Sequence, residues 1–157
     1  MTRASLTRAD LVRYLAIVLL LVTGGIHLQQ FEGPLRPVPT IGPLFVLNAI
    51  GAAVLALLLA GVRGDLAKLA ALGAIGMTLG DLVALAISRV TVLFDYSEPT
   101  LRPAVTLAAV VEVAAVAALG AILLMDDGAD PGVRPRAARA VAGQPAAPAS
   151  HRSSPTS

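Results

Sequence analysis

The sequence predicts an all-α protein, an integral membrane four-helix bundle of antiparallel up-down-up-down order followed by a disordered C-terminal tail. Three observations predict it. Of the 157 residues, 56% are hydrophobic and 14% charged, whereas a soluble domain carries about 25% charged residues. The apolar residues form four runs, 14–30, 43–62, 66–88 and 104–125, each of about the 20 residues that cross a hydrocarbon core. The charges gather between the runs. In lipid each backbone amide must find its partner within the segment, so such runs are helices. Together they make one transmembrane domain, 14–125.

Taken in order, residues 1–13 are a polar lead with Arg3, Arg8 and Arg13. The first run follows as YLAIVLLLVTGGIHLQQ. A basic start before a short apolar core also fits a secretory signal, but no A-x-A-like cleavage site follows, so the run reads as an uncleaved span. Residues 31–42 hold Pro34, Pro37 and Pro39 and predict an irregular loop, since each proline removes a backbone donor. The second span opens on Pro43, a position a helix start tolerates. The short link 63–65 makes the second and third spans antiparallel neighbours. Residues 89–103 form a loop with Asp95, Glu98, Pro99, Arg102 and Pro103, and the fourth span follows. Residues 126–157 are rich in Ala, Pro, Arg and Ser without an apolar period. Such a stretch cannot bury enough surface to offset its chain entropy, and His151 there reads as a solvated bystander.

The basic residues predict orientation. Nine of the twelve (Arg3, Arg8, Arg13, Arg63, Lys68, Arg134, Arg136, Arg139 and Arg152) fall in the lead, the 63–68 connection and the tail. Positive charge stays on the cytoplasmic side, so both termini are expected inside a plasma membrane. Tyr14, Phe31, Phe45, Phe94 and Tyr96 all fall near span ends, as interfacial anchors do.

Each span carries one comparable polar group: His27, Asn48, Asp81 and Glu112. Counted from the outer boundary, His27 lies about one turn deep and the other three between about one and three turns. All four therefore share the outer half of the membrane. An ionised carboxylate at mid-span costs about 2.5–3.5 kcal/mol on insertion scales, so Asp81 and Glu112 are expected to face the bundle interior. Ala108, Ala109, Ala115 and Val116 give Glu112 a mostly small-residue face, and Gly51 and Ala52 follow Asn48 on its own. Gly73, Gly76 and Gly80 form a strip at helical spacing of the kind that lets membrane helices approach closely.

One histidine and two carboxylates suit a divalent metal, with His27, Asp81 and Glu112 as candidate ligands. They equally suit a proton relay, because histidine titrates near neutrality. A plainer reading makes Asn48 an interhelical hydrogen bonder, His27 an interfacial side chain and the acids glue between helices. The chain has no cysteine and no tryptophan. Disulfides, thiolate metal sites and thiol redox chemistry are thereby excluded. A b-type haem with two axial histidines does not fit one histidine within the spans. No phosphate loop, nucleophile elbow or HExxH motif is present. The net charge of +2 is small and carried mainly by the ends, which leaves no nucleic-acid footprint.

The run GGIHLQQF, then GPLFVLNAIGAAVLALLLA, then a carboxylate in the last span, resembles small four-span integral membrane proteins of high-GC Gram-positive (actinobacterial) type. Eleven arginines to one lysine agree with a GC-rich gene. The resemblance covers about residues 10–125. In size and topology the chain is also similar to DoxX-type four-span proteins. The resemblance implies the bundle and brings no activity, cofactor or site residue with it.

Three functions are therefore expected in descending order of support. The first is an ion- or small-solute-handling membrane protein using the polar cluster; a single bundle leaves little room for a pathway, so this reading implies a homo-oligomer. The second is a non-catalytic accessory subunit or scaffold of a larger membrane complex. The third is an enzyme acting on a lipid or quinone.

Overall fold

The computed structural model describes residues 6–94 and 96–127. Four helices run through them, each long and apolar enough to cross a membrane: α1 (Arg8–Gln30), α2 (Ile41–Gly61), α3 (Asp65–Val90) and α4 (Pro103–Asp127). The protein is thus a multi-pass, all-α membrane bundle. Each helix packs beside its chain neighbours and α4 closes the ring against α1, leaving α1 opposite α3 and α2 opposite α4. The end formed by residues 31–40 and 91–102 is termed the upper end; the 62–64 link lies at the lower one.

Helix α1 starts earlier than the apolar run. Thr7 caps it: its hydroxyl accepts from the Asp10 amide, and the Asp10 carboxylate accepts from the Thr7 amide. This reciprocal cap extends the helix into the polar lead. The expected loop 31–42 is also shorter than its prolines imply. The chain continues from α1 as one π-type turn, Phe31–Leu35, with Gly33 outside helical angles at φ −97, ψ −112. Pro34 has no amide to bond and its ring crowds the carbonyl four residues back; a wider turn relieves both. Helix α2 starts two residues before Pro43, which then lies in the first turn, where its missing N–H is no loss. Gly64 turns the chain between α2 and α3 at φ 63, a value other residues rarely adopt. Helix α4 reaches Asp127, so the first two residues of the expected tail are helical. The rest of that tail, with His151, lies outside the described residues.

The lower half is sealed by an apolar core. Leu20, Leu59 and Leu119 are fully buried against Ala16, Ala71 and Ala74. Lipid solvates apolar side chains as well as protein does, so close van der Waals packing holds such a core, and alanines serve it by bringing backbones together. On α3 the buried face is Ala67, Ala70, Ala71, Ala74 and Thr78. Within the chain, then, the packing face of α3 is this alanine strip and not the glycine strip. Gly73, Gly76 and Gly80 are all on the exposed side. A Cβ at Gly73 would touch only the end of the Leu55 side chain, at 3.5 Å, and at Gly76 or Gly80 it would meet nothing within 4 Å. Both strips have helical spacing; the alanine strip faces inward together with Thr78, whose hydroxyl donates to the Ala74 carbonyl one turn back.

The glycine that does carry a close approach at the upper end is Gly42. A Cβ there would lie 2.7 Å from the Leu35 carbonyl oxygen, a backbone atom that cannot swing away. Gly42→Ala is expected to cost about 1–3 kcal/mol, the range for overpacking. Gly76→Ala is expected to gain up to about 1 kcal/mol from helix propensity. Detergent melting temperatures of the two variants check this, and a Gly76→Ala protein that melts well below the parent would restore the glycine strip as a packing face.

Candidate functional site

The upper half holds the four polar groups, one from each helix, around a single point. His27 is placed by α1 with 5% of its surface exposed. Its Nδ1 lies 2.9 Å from the Thr23 carbonyl oxygen one turn back. A carbonyl only accepts, so Nδ1 carries a proton and donates it, and Nε2 is the nitrogen turned inward. The Phe45 ring from α2 lies against the imidazole at 4.8 Å between centroids and fixes its tilt. Nε2 is 4.0 Å from Asp81 Oδ2 across the ring of helices and 3.8 Å from Glu112 Oε1 on α4.

Asn48 supports this arrangement from α2. Its Nδ2 donates to Asp81 Oδ2 at 2.5 Å, the same oxygen that faces His27. The Asn48 side-chain oxygen has no hydrogen-bond partner among the described residues. Glu112 is 3% exposed. Asp81 is the more open acid, with 22% of its side chain exposed. One ligand atom each from His27, Asp81 and Glu112 lies within 4.8 Å of the others. The sequence-predicted candidates His27, Asn48, Asp81 and Glu112 therefore meet at one place.

These donors fit a divalent metal. Zinc binds nitrogen and oxygen at about 2.0–2.2 Å in tetrahedral geometry, so two ligands of one ion lie about 3.3–3.6 Å apart. The histidine–carboxylate separations of 4.0 and 3.8 Å and the carboxylate pair within 4.8 Å are wider than this, so an ion would draw the donors in by a few tenths to rather more than one ångström. The outer supports are of the kind metal sites use. A ligating histidine gives its other N–H to a backbone carbonyl, and a ligating carboxylate is itself hydrogen-bonded. Thr23 and Asn48 supply these two supports. Asn48 is thus a positioning residue and not a ligand.

Above the cluster lies a cavity of about 110 Å³. A water needs at least about 10–15 Å³ of such space, so there is room for several. Its floor is His27, Asp81 and Glu112, its walls include Ile26, Leu85 and Val105, and its roof is Tyr96, Glu98 and Arg102. Gln30 also lines it, 8% exposed, with a side-chain oxygen that has no partner among the described residues.

The roof is satisfied within itself. Arg102 Nε donates to Glu98 Oε1 at 3.0 Å and its Nη2 to Glu98 Oε2 at 2.6 Å and to the Tyr96 oxygen at 2.9 Å. The Tyr96 hydroxyl donates to Glu98 Oε2. Arg89 donates to the Glu98 carbonyl at 3.0 Å. The hydrogen bonds from Arg102, above all, hold the Glu98 carboxyl below its ordinary range. Burial first, and then the bond to Glu98, push the Tyr96 phenol up to about 12.

Sequence reasoning missed Gln30 and the roof. Gln30 stands three residues after His27 on the same helical face, and Glu98 and Arg102 are opposite charges four residues apart at a span boundary. Both signals were present without any apolar period to mark them.

No known protein family, curated protein or solved structure matches this chain.

Proposed function

We propose that this is a plasma-membrane protein that handles cations through the His27, Asp81 and Glu112 site, with a divalent transition metal such as Zn²⁺ or Mn²⁺ as the inorganic ligand. The observation that carries the reading is the three donor atoms within 4.8 Å of one another, two of them on residues no more than 5% exposed. Buried ionisable groups on three different helices are expensive in a membrane, and they mark ion or proton sites by default. The buried side-chain oxygens around them without a hydrogen-bond partner among the described residues are those of the Thr23 hydroxyl, Gln30 and Asn48, and Glu112 makes no hydrogen bond there either. Such oxygens suit a cation and the waters it carries. The excess of basic residues at the lower end and in the tail supports cytoplasmic termini, which puts the cavity on the outer side. An active alkaline phosphatase fused after Met125 would overturn that orientation.

A second reading has its own support. The Asn48–Asp81 hydrogen bond ties α2 to α3, as expected of an accessory subunit whose polar groups only hold the bundle together. Metal analysis separates the two. Purified protein dialysed against micromolar Zn²⁺ or Mn²⁺ is expected to retain about one ion per chain, and His27→Ala to retain none. Retention of no ion by the parent, or the same retention by His27→Ala, would leave the scaffold reading standing.

A further inference from the structure

The site has a second mouth. Helices α2 and α3 make the thinnest contact in the ring, and Gly51 against Met77 Sδ marks where they touch, 3.0 Å from an added Cβ. Beside that contact a cleft of about 520 Å³ opens between them. Its rim is Leu47, Ile50 and Val54, which are 64%, 55% and 49% exposed on a surface that faces hydrocarbon. Its inner end is Asn48, Asp81 and His27. The mouth is apolar and sideways; the end is acidic.

We infer that this cleft admits an amphiphilic amine from the lipid, a protonated amino head on a single apolar chain, which competes with the metal for Asp81. The inference rests on the cation-site reading and names the organic class of ligand.

Four observations point to that class. Asp81 is partly open, and the cleft is where it opens; a carboxylate facing hydrocarbon is costly unless a positive or donating group meets it. His27, 95% or so buried by its 5% exposure, has an Nε2 with no hydrogen bond among the described residues, and the Asn48 oxygen is likewise unmatched. Among the described residues no Lys or Arg lines the cleft to neutralise these acceptors. Phe45 lines it beside His27, and an aromatic face attracts an alkylammonium head. Depth agrees as well. Asn48 stands seven residues into α2, roughly 10 Å at 1.5 Å per residue. Amphiphiles at the interface bury their apolar parts about 5–10 Å below the headgroup boundary, so a chain-bearing amine entering from the side reaches this depth. A zwitterionic phospholipid would bring its phosphate towards Asp81 together with its amine, so a phosphate-free amine is the occupant.

Asp81 lines both the cavity and the cleft. A metal reaching it from above and an amine reaching it from the side cannot both hold it. Exchange of one cation for another at a shared carboxylate is what this geometry offers.

The test uses the full chain in nanodiscs of zwitterionic lipid, with decylammonium, decanol and decanoate as probes and melting temperature and bound zinc as readouts. Decylammonium is expected to raise the melting temperature and to weaken zinc binding at least tenfold, while decanol and decanoate do neither. Asp81→Asn is expected to lose the amine shift. Leu47→Trp, which fills the cleft mouth away from the metal ligands, is expected to lose the amine shift while binding zinc as the parent does; retained zinc binding shows that the variant is folded. An equal response to decanol, an amine shift that survives Asp81→Asn, or zinc and amine bound together without competition would overturn the inference. Zinc bound with no amine response defeats the inference alone; an amine response without zinc binding defeats the metal reading alone and leaves the cleft as assigned.

Discussion

Glu112→Gln is expected to leave the metal-free protein at least as stable as the parent and to abolish its stabilisation by zinc. The parent should gain about 2.7 kcal/mol at a zinc concentration one hundred times the dissociation constant. The variant should gain little at the same concentration. The physical basis is the crowding of charge. Asp81 and Glu112 present oxygens within 4.8 Å of each other. At an effective dielectric of 20, two unit charges at that separation repel by about 3 kcal/mol. A divalent ion between them reverses the sign of this interaction. Glutamine instead removes it from the empty site, in the same shape and without orphaning a partner, since Glu112 makes no hydrogen bond among the described residues. One substitution thus moves the two states in different directions, which loss of packing cannot do. Melting in detergent with and without zinc reads both. A variant that falls by the same amount in both conditions would show that Glu112 is only a structural residue.

Much of this site was legible because of what a membrane forbids. A polar side chain inside an apolar run has few places to go, so the four exceptions to the hydropathy pattern were also the four residues that meet. Their common depth could be counted from the span ends. Direction was harder to read. In the third span, glycine and alanine strips have the same period, and hydropathy says nothing about which one faces inward; the structure turns the alanines in and the glycines out. The ends of helices escaped for another reason. The Thr7–Asp10 cap and the π turn over Phe31–Leu35 are set by local hydrogen bonding and by a proline, which act beneath the resolution of an apolar count. The roof was missed because Tyr96, Glu98 and Arg102 are ordinary loop residues until the fold brings them over the cavity.

Arg102→Met is expected to destabilise the protein by about 2–3 kcal/mol. Breaking a buried ion pair costs about 3–5 kcal/mol, and the figure is reduced here because the Arg102 side chain is 35% exposed and partly solvated. Glu98 is left behind at 3% exposure with its charge opposed only by the Tyr96 hydroxyl and, at a distance, by Arg89. The dependence on pH carries a definite sign. Glu98 has its carboxyl held below the ordinary value of 4.5, so its contribution is present above that value and is lost as pH falls beneath it. Tyr96 has its phenol raised from 10.0 to about 12, so its contribution is present below 10.0 and is lost as pH rises towards about 12. Between these limits the roof should hold. The difference in melting temperature between the parent and Glu98→Gln isolates the first effect from all other carboxylates. It should be constant from pH 5 to pH 9 and should shrink below 4.5. Tyr96→Phe should converge on the parent at the alkaline end instead. A parent–Glu98→Gln difference that stays level down to pH 3 would mean that the Glu98 carboxylate is not held by Arg102, and that the cavity has no ion-paired roof.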